Sequence, residues 1–214
     1  LLCDPLGRQP LRPATDLERF IEGLYEIFQR VDPVFAKQFH MMMDAQLLDL
    51  ESRKGKAPGG YQATLYEARK PFIFGNTTGT DSDLHLLTHE GGHAFHTLAC
   101  AHDDLMDYRH APMEFCEVAS MSMEFLAAAA GLDIFYDADE QQRWWRDKLE
   151  STVRSLIQVA VFDAFQHRLY ENPSHSRDQR RQFWVELNER FGTGVENWDG
   201  LEDYRASQWH RVLH

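Results

Sequence analysis

The segment that most constrains the fold is residues 86–96, LLTHEGGHAFH, in which two histidines stand four positions apart. On an α-helix, side chains at positions i and i+4 lie on the same face, with Cβ atoms about 6 Å apart. His89 and His93 can therefore bind one metal ion from one face, with Glu90 beside them and free of the ion. The spacing predicts that this segment is helical and that it carries a zinc site.

Glu90 has a predicted role in hydrolysis. It would hold and deprotonate a zinc-bound water and then return the proton to the leaving amine. Gly91 and Gly92 lie inside an otherwise apolar helical pattern, where each glycine costs up to about 1 kcal/mol relative to alanine. That cost predicts a close approach to the helix backbone by, for instance, a β-strand or a bound peptide.

A hydrolytic zinc site requires a third protein ligand and an open position for water. His96 follows His89 by seven residues, about 10 Å along a helix axis, and cannot reach the same ion. A metzincin would have glycine three residues after His93 and histidine three residues further on. Those positions are His96 and Ala99 in this chain, so that class is excluded.

The better candidates for the third ligand lie in residues 112–124. Pro112 can open a helix, on which Glu114, Glu117 and Glu124 form one acidic stripe bordered by Met, Phe and Ala. Each glutamate taken alone could belong to a solvated face. Beside the zinc motif, the stripe predicts one metal ligand and at least one carboxylate that orients a histidine ligand.

Hydrophobic periodicity predicts a mainly helical chain around this motif. Residues 16–30 and 33–50 are predicted helices, while residues 61–66 and 71–75 are predicted strands joined as a hairpin by residues 67–70. A polar loop covers residues 76–83, and the chain after it is predicted to be helical, with stops at Asn172-Pro173 and at Gly192 and Gly194. The predicted fold class is mainly α, with a small β-hairpin beside the zinc helix.

Charge and cysteine usage exclude several classes of partner. The net charge is −12 and the basic residues are scattered, which argues against nucleic acid and against an anionic membrane, since both need a basic face. Cys3, Cys100 and Cys116 are an odd number at wide spacing. They fit neither a disulfide framework nor a CxxC metal pair, which favours a reducing cytoplasm.

The segments HEGGHAFH and EFCEVASMSMEFL resemble the thimet oligopeptidase and oligoendopeptidase F family of zinc peptidases, nearer its oligoendopeptidase F branch. The resemblance implies a zincin-like helical catalytic domain with one Zn²⁺ per chain. It implies that His89 and His93 are metal ligands and that Glu90 is the catalytic base. Glu117, which opens the family's E-x-x-S sequence, would be the third ligand in preference to Glu114, and Glu124 would stand behind the ligands.

The resemblance also covers residues 49–61 and 71–76, the latter similar to the family's strand along the active-site cleft. We expect Phe74, Gly75 and Asn76 to bind substrate, with the backbone of residues 72–76 pairing with an extended peptide by strand addition. The alternative is a hairpin that only packs against the zinc helix.

The two ends depart from the family pattern. Members have an N-terminal helical lobe and continue past the position of His214 into a Tyr-rich stretch that binds substrate and stabilises the oxyanion. Residues 1–214 are therefore expected to form a partial zinc metallopeptidase catalytic domain, with His214 as a further catalytic residue. We expect this piece to bind zinc and its turnover to depend on the missing parts.

The predicted function is a zinc-dependent endopeptidase that hydrolyses short oligopeptides through Glu90-assisted attack of a zinc-bound water. Its expected partners are short peptides, without nucleic acid or membrane. Two alternatives remain open on the residues alone. One is a non-catalytic helical protein that keeps zinc for structure, and the other is a zinc hydrolase of non-peptide amides.

Overall fold

The computed structural model describes residues 6–211, with the side chains of Met113 and Glu114 excepted. Most of these residues are helical, and a three-stranded sheet lies early in the chain, so the predicted mainly α fold is confirmed. The chain divides into two compact units, one up to Trp144 and one from Trp145 onward. Its elements are α1 (Leu17–Val31), α2 (Pro33–Asp44), β1 (Leu48–Glu51), β2 (Tyr61–Leu65), β3 (Lys70–Thr77), α3 (Asp81–Cys100), α4 (Met113–Gly131), α5 (Ala138–Glu171), α6 (Arg177–Phe191) and α7 (Glu202–Arg205).

The first two helices begin where aspartates cap them. The Asp16 side chain accepts a hydrogen bond from the Arg19 backbone N–H at 2.8 Å, and Asp32 does the same for Val34 at 2.8 Å. Such a side chain satisfies one of the N–H groups left unpaired at a helix start. The predicted starts are thus confirmed, with Pro33 in the first turn of α2.

The predicted end of α2 is wrong. The helix stops at Asp44, Gln46 takes a positive φ of 53°, and the chain continues as β1. Leu50, which helical periodicity assigned to α2, is instead buried as part of this strand. The periodicity could not distinguish the two, because a short apolar run fits both a helix and a buried strand.

The sheet has the order β1–β3–β2. The predicted hairpin is present, with β2 antiparallel to β3, and β1 adds a third strand parallel to β3. β3 is therefore the central strand. At Ile73 and Phe74 it has a partner on each side, and the free edges of the sheet belong to β1 and β2.

The core of the first unit surrounds Phe28 of α1, which is fully buried. Its ring meets Phe39 of α2 edge-on at 5.1 Å and Phe95 of α3 at 4.9 Å between ring centroids. Burying a side chain of this size stabilises a fold by roughly 1.5–3 kcal/mol. These contacts hold α3 against α1 and α2 through one face, while α3 also contacts β3 and α4.

The second unit has its own core, formed where α5 and α6 pack together. Val161 and Phe165 of α5 meet Trp184 and Leu187 of α6, and all four are buried. α5 ends at Glu171, before Asn172-Pro173, and α6 ends at Phe191, before Gly192. Both predicted helix stops are confirmed, because proline disfavours helix at the residue before it and glycine lacks helix propensity.

One helix among the described residues, Phe115–Ile134, is long and apolar enough to pass a composition test for a membrane span. Helices in the core of a soluble protein pass the same test, and this one contacts both α1 and α3.

Candidate metal centre

α3 and α4 bring three potential metal ligands together. His89 and His93 lie one turn apart on α3, and Glu117 reaches them from α4. One ligand atom from each of the three residues lies within 4.8 Å of the others. Glu117 Oε2 is 3.1 Å from His89 Nε2, and Glu117 Oε1 is 3.6 Å from His93 Nε2.

These distances fit a zinc ion. Zinc binds imidazole nitrogen and carboxylate oxygen at about 2.0–2.2 Å, so two ligand atoms of a tetrahedral site lie about 3.3–3.5 Å apart. Two histidines and one glutamate are also a ligand set found in catalytic zinc sites, where the fourth position stays open. The three residues therefore suit zinc both in chemistry and in spacing.

Gly92 allows α4 to come this close to α3. A Cβ atom at this position would lie 2.6 Å from the Ala119 carbonyl oxygen and 2.6 Å from Ser120 Cα, both in the backbone of α4. The predicted close approach is therefore present, and the approaching element is a helix where a strand or a bound peptide was expected. On α4, the fully buried Ser120 donates from its hydroxyl to Glu117 Oε2 at 2.8 Å and so orients the carboxylate.

Glu124 stands behind His89. Its Oε1 lies 2.9 Å from His89 Nδ1, and the Glu124 side chain is buried. With a proton on Nδ1 directed at the carboxylate, Nε2 of the same ring is left for a metal. Burial disfavours the charged ring, but the hydrogen bond to Glu124 and the neighbouring carboxylates outweigh it, so the pKa of His89 is raised.

Sequence reasoning missed two residues that extend this network. His85 Nδ1 lies 3.4 Å from the second oxygen of Glu124, and His85 Nε2 lies 3.1 Å from Asp81 Oδ2. The His85 ring also stacks on Trp144, with centroids 4.9 Å apart. The signal was available in the sequence, because Asp81, His85 and His89 follow one another at i, i+4 spacing on α3.

Glu90 is buried beside the three potential ligands, at 7% exposure. Burial raises its pKa, while the charge of His89 and the nearby backbone N–H of Gln62 act in the opposite direction. Gln62 belongs to β2, so the Glu90 side chain extends from α3 towards an edge strand of the sheet. A carboxylate with a raised pKa next to a metal site is suited to accept and return a proton.

The predicted substrate residues of β3 are engaged in the sheet and its loop. Phe74 stacks on Tyr61 at 5.0 Å, the Gly75 carbonyl accepts from Lys56 Nζ at 2.5 Å, and the Asn76 amide donates to two carbonyls of residues 57–59 at 2.9 Å. Strand addition at Phe74 is excluded, because β3 is paired on both sides there. Other substrate contacts of Phe74, Gly75 or Asn76 stay a prediction.

Two further predictions remain untested. His214, predicted to be catalytic, lies outside the described residues, and its role stays a prediction. The side chain of Glu114, the rejected alternative to Glu117, lies outside them as well.

Comparison with known proteins agrees with this geometry. The model of peptidase family M3 matches residues 2–205. Oligoendopeptidase F (chromosomal) of Lactococcus lactis subsp. cremoris is 27% identical over an alignment of 192 positions, which covers 84% of this chain and 31% of that protein.

Solved structures show the same relationship. PZ peptidase A, solved with an inhibitor, superposes with a TM-score of 0.85 at 32% identity, over 94% of this chain and 36% of that one. A Bacillus anthracis str. Ames protein assigned to oligoendopeptidase F superposes with a TM-score of 0.79 at 31% identity. The match covers 86% of this chain and 34% of that one.

The chain thus spans about a third of the length of the relatives it matches. The predicted resemblance to the oligoendopeptidase F branch is confirmed, and so is the helical zincin-like fold. With a family match along nearly its whole length, and with the HExxH histidines facing a glutamate of the next helix, the chain belongs to peptidase family M3.

Proposed function

We propose that this chain is the zinc-binding part of a metalloendopeptidase that hydrolyses peptide bonds in short oligopeptides. The observation that carries the proposal is the group of His89, His93 and Glu117, with Glu90 buried beside it. Membership of a peptidase family and the similarity to oligoendopeptidase F support a peptide as substrate.

The residues of the site would have two separate roles, metal binding and proton transfer. His89, His93 and Glu117 would hold the zinc ion, which would supply Lewis acidity towards a water molecule and towards the scissile carbonyl. Glu90 accepts a proton from the attacking water and passes it to the leaving nitrogen when the C–N bond breaks.

We further propose that the outer edge of β2 binds the peptide backbone. In an antiparallel pair, the N–H and C=O of one residue point to the same side, and the side alternates along the strand. The N–H of Gln62 reaches Glu90, so Gln62 and Thr64 direct their backbone groups away from β3. An extended peptide added there would lie beside the metal centre.

The alternatives are less well supported. A purely structural zinc site uses four protein ligands, whereas three come together here among the described residues, next to a buried glutamate. A hydrolase of non-peptide amides would need the same site, but the family and the relatives favour peptides. The free thiols of Cys100 and Cys116 support our proposal of a cytoplasmic location.

Two substitutions in the full-length enzyme test the mechanism with metal analysis and a fluorogenic peptide assay. Glu90→Gln keeps the size of the side chain and removes the base, so we expect one zinc per chain and a loss of cleavage of about 10²–10⁴-fold. Glu117→Ala should lose the zinc itself. Undiminished cleavage by Glu90→Gln would overturn the mechanism, and a fourth protein ligand in the X-ray absorption spectrum of the zinc would support the non-catalytic alternative.

A further inference from the structure

A cavity of about 340 Å³ opens beside the metal centre. Its walls come from β2, from the second half of α3 and from the segment that leads into α4. It shares His93 with the metal centre, and it includes Gln62 of β2, whose backbone N–H lies near Glu90. Ligand cavities span about 300–1,000 Å³, so this one has room for a small group such as a single side chain.

A larger cavity of about 630 Å³ lies elsewhere in the same unit, near the start of α1. It includes neither Glu90 nor any of the three potential metal ligands. The smaller cavity is therefore the one in which part of a peptide bound at the metal would lie. We call it the donor pocket, after the groups that line it.

Most of the polar side chains that line the donor pocket can donate a hydrogen bond. No Asp or Glu is found among the described residues that line it, although the chain contains 34 acidic residues and has a net charge of −12. Described walls without a carboxylate, in so acidic a protein, suit an anionic guest better than a cationic one. The donor side chains, apart from the potential ligand His93, are Gln62, Thr64, Tyr66, His96, Thr97, Arg109 and His110.

Arg109 is the permanent cation of the pocket. Its Nε donates to the Asp103 carbonyl at 2.7 Å, and one terminal nitrogen donates to the Asp104 carbonyl at 3.1 Å. These two bonds fix the plane of the guanidinium group. Among the described residues no carboxylate forms an ion pair with it. A carboxylate is the partner that a fixed guanidinium group binds best, through charge-assisted hydrogen bonds.

We propose that the donor pocket binds a carboxylate of the substrate close to the scissile bond, so that the site prefers acidic peptides. The carboxylate can belong to an Asp or Glu side chain or to the C-terminus of the peptide, since both present the same group. This inference rests on the proposed function, because it assumes that a peptide lies across the metal centre.

The test measures peptide binding in the zinc-loaded Glu90→Gln protein, which holds peptides without cleaving them. Fluorescence anisotropy gives the Kd of labelled peptides in which a single Glu or a matched Gln is moved through each position. A second set compares a free C-terminal carboxylate with a C-terminal amide. We expect at least one Glu peptide or free-acid peptide to bind roughly tenfold more tightly than its neutral match, the size of one charged hydrogen bond.

Arg109→Gln should remove this preference, and Arg109→Lys should keep part of it by preserving the charge. Arg69→Gln is the matched control, because Arg69 also donates to a backbone carbonyl, that of Ala101 at 3.0 Å, but does not line the pocket. Thermal unfolding of each variant establishes that it is folded. The Lys variant keeps the test valid if Arg109→Gln disturbs the local turn.

Each outcome decides the proposal. Equal binding of every charged and neutral pair overturns it, as does a preference that survives Arg109→Gln. Cleavage by the unsubstituted full-length enzyme tests the proposed function separately. If no peptide is cleaved but the Arg109-dependent preference is present, the pocket stands and the peptidase proposal fails. If all peptides are cleaved and bound alike, only the pocket proposal fails.

Discussion

At the scale of single residues, the candidate metal centre has two supporting side chains that are not among its three potential ligands. Glu124 orients His89 through a 2.9 Å hydrogen bond, and Ser120 orients Glu117 at 2.8 Å. Both supporting residues are buried, so their hydrogen bonds are shielded from bulk water. Partners of this kind control metal affinity because they set the direction and basicity of the ligand atom.

Glu124→Gln should therefore weaken zinc binding by about 10–100-fold without removing any ligand. The amide can occupy the same space but lacks the charge that strengthens His89 as a ligand. Competition with a chromophoric chelator measures the affinity. Glu22→Gln, at an exposed position of α1, is the control and should leave the affinity unchanged. Equal affinities for the two variants would contradict the role of Glu124.

His85 should affect zinc affinity through its contact with Glu124. His85→Phe keeps an aromatic ring against Trp144 but loses the contacts to Glu124 and Asp81, so zinc affinity should fall, and by less than in Glu124→Gln. If His85 affects zinc binding only through Glu124, the double variant should bind zinc no more weakly than Glu124→Gln alone. Simple addition of the two losses in the same chelator assay would show that His85 acts independently.

At the scale of elements, the site depends on how closely α4 packs on α3. Gly92→Ala places a methyl group 2.6 Å from the backbone of α4, which cannot rotate away as a side chain can. We expect a loss of about 1–3 kcal/mol in the free energy of unfolding, together with weaker zinc binding, because a shifted α4 carries Glu117 with it. Urea denaturation measures the loss.

Gly91→Ala is the matched control on the same helix. The added methyl group would meet the Phe28 ring at 3.1 Å, where a small ring movement suffices, and alanine favours helix by up to about 1 kcal/mol over glycine. Gly91→Ala should lower the free energy of unfolding clearly less than Gly92→Ala does. The reverse order would show that the approach of α4 is not the constraint at this position.

At the scale of the whole molecule, zinc should stabilise the unit that contains the site. A ligand that binds only the folded state at 100 times its Kd adds about 2.7 kcal/mol to the free energy of unfolding. Zinc should therefore raise the unfolding temperature, and a chelator should lower it. Hydrogen exchange should show the added protection in α3 and α4. Glu117→Ala should show neither effect, and an equal response to zinc in that variant would locate the ion elsewhere.

The sequence by itself determined the features that arise from local geometry. The spacing of His89 and His93 is enough to place them on one helix face, and Asp16, Asp32 and Pro173 mark helix boundaries through bonds to, or clashes with, their immediate neighbours. The residues alone left the third ligand open among the glutamates of residues 112–124, and only the family resemblance selected Glu117.

Tertiary structure decided what depends on distant segments. It moved the end of α2 and formed β1, because residues 48–51 become a strand only when β3 lies beside them. It made β3 central and left β2 with a free edge next to Glu90, which no spacing along the chain reveals. It also brought Glu117 within 3.1 Å of His89. Helix spacing is a property of neighbours in sequence, whereas strand order and the distance between helices result from packing across the whole unit.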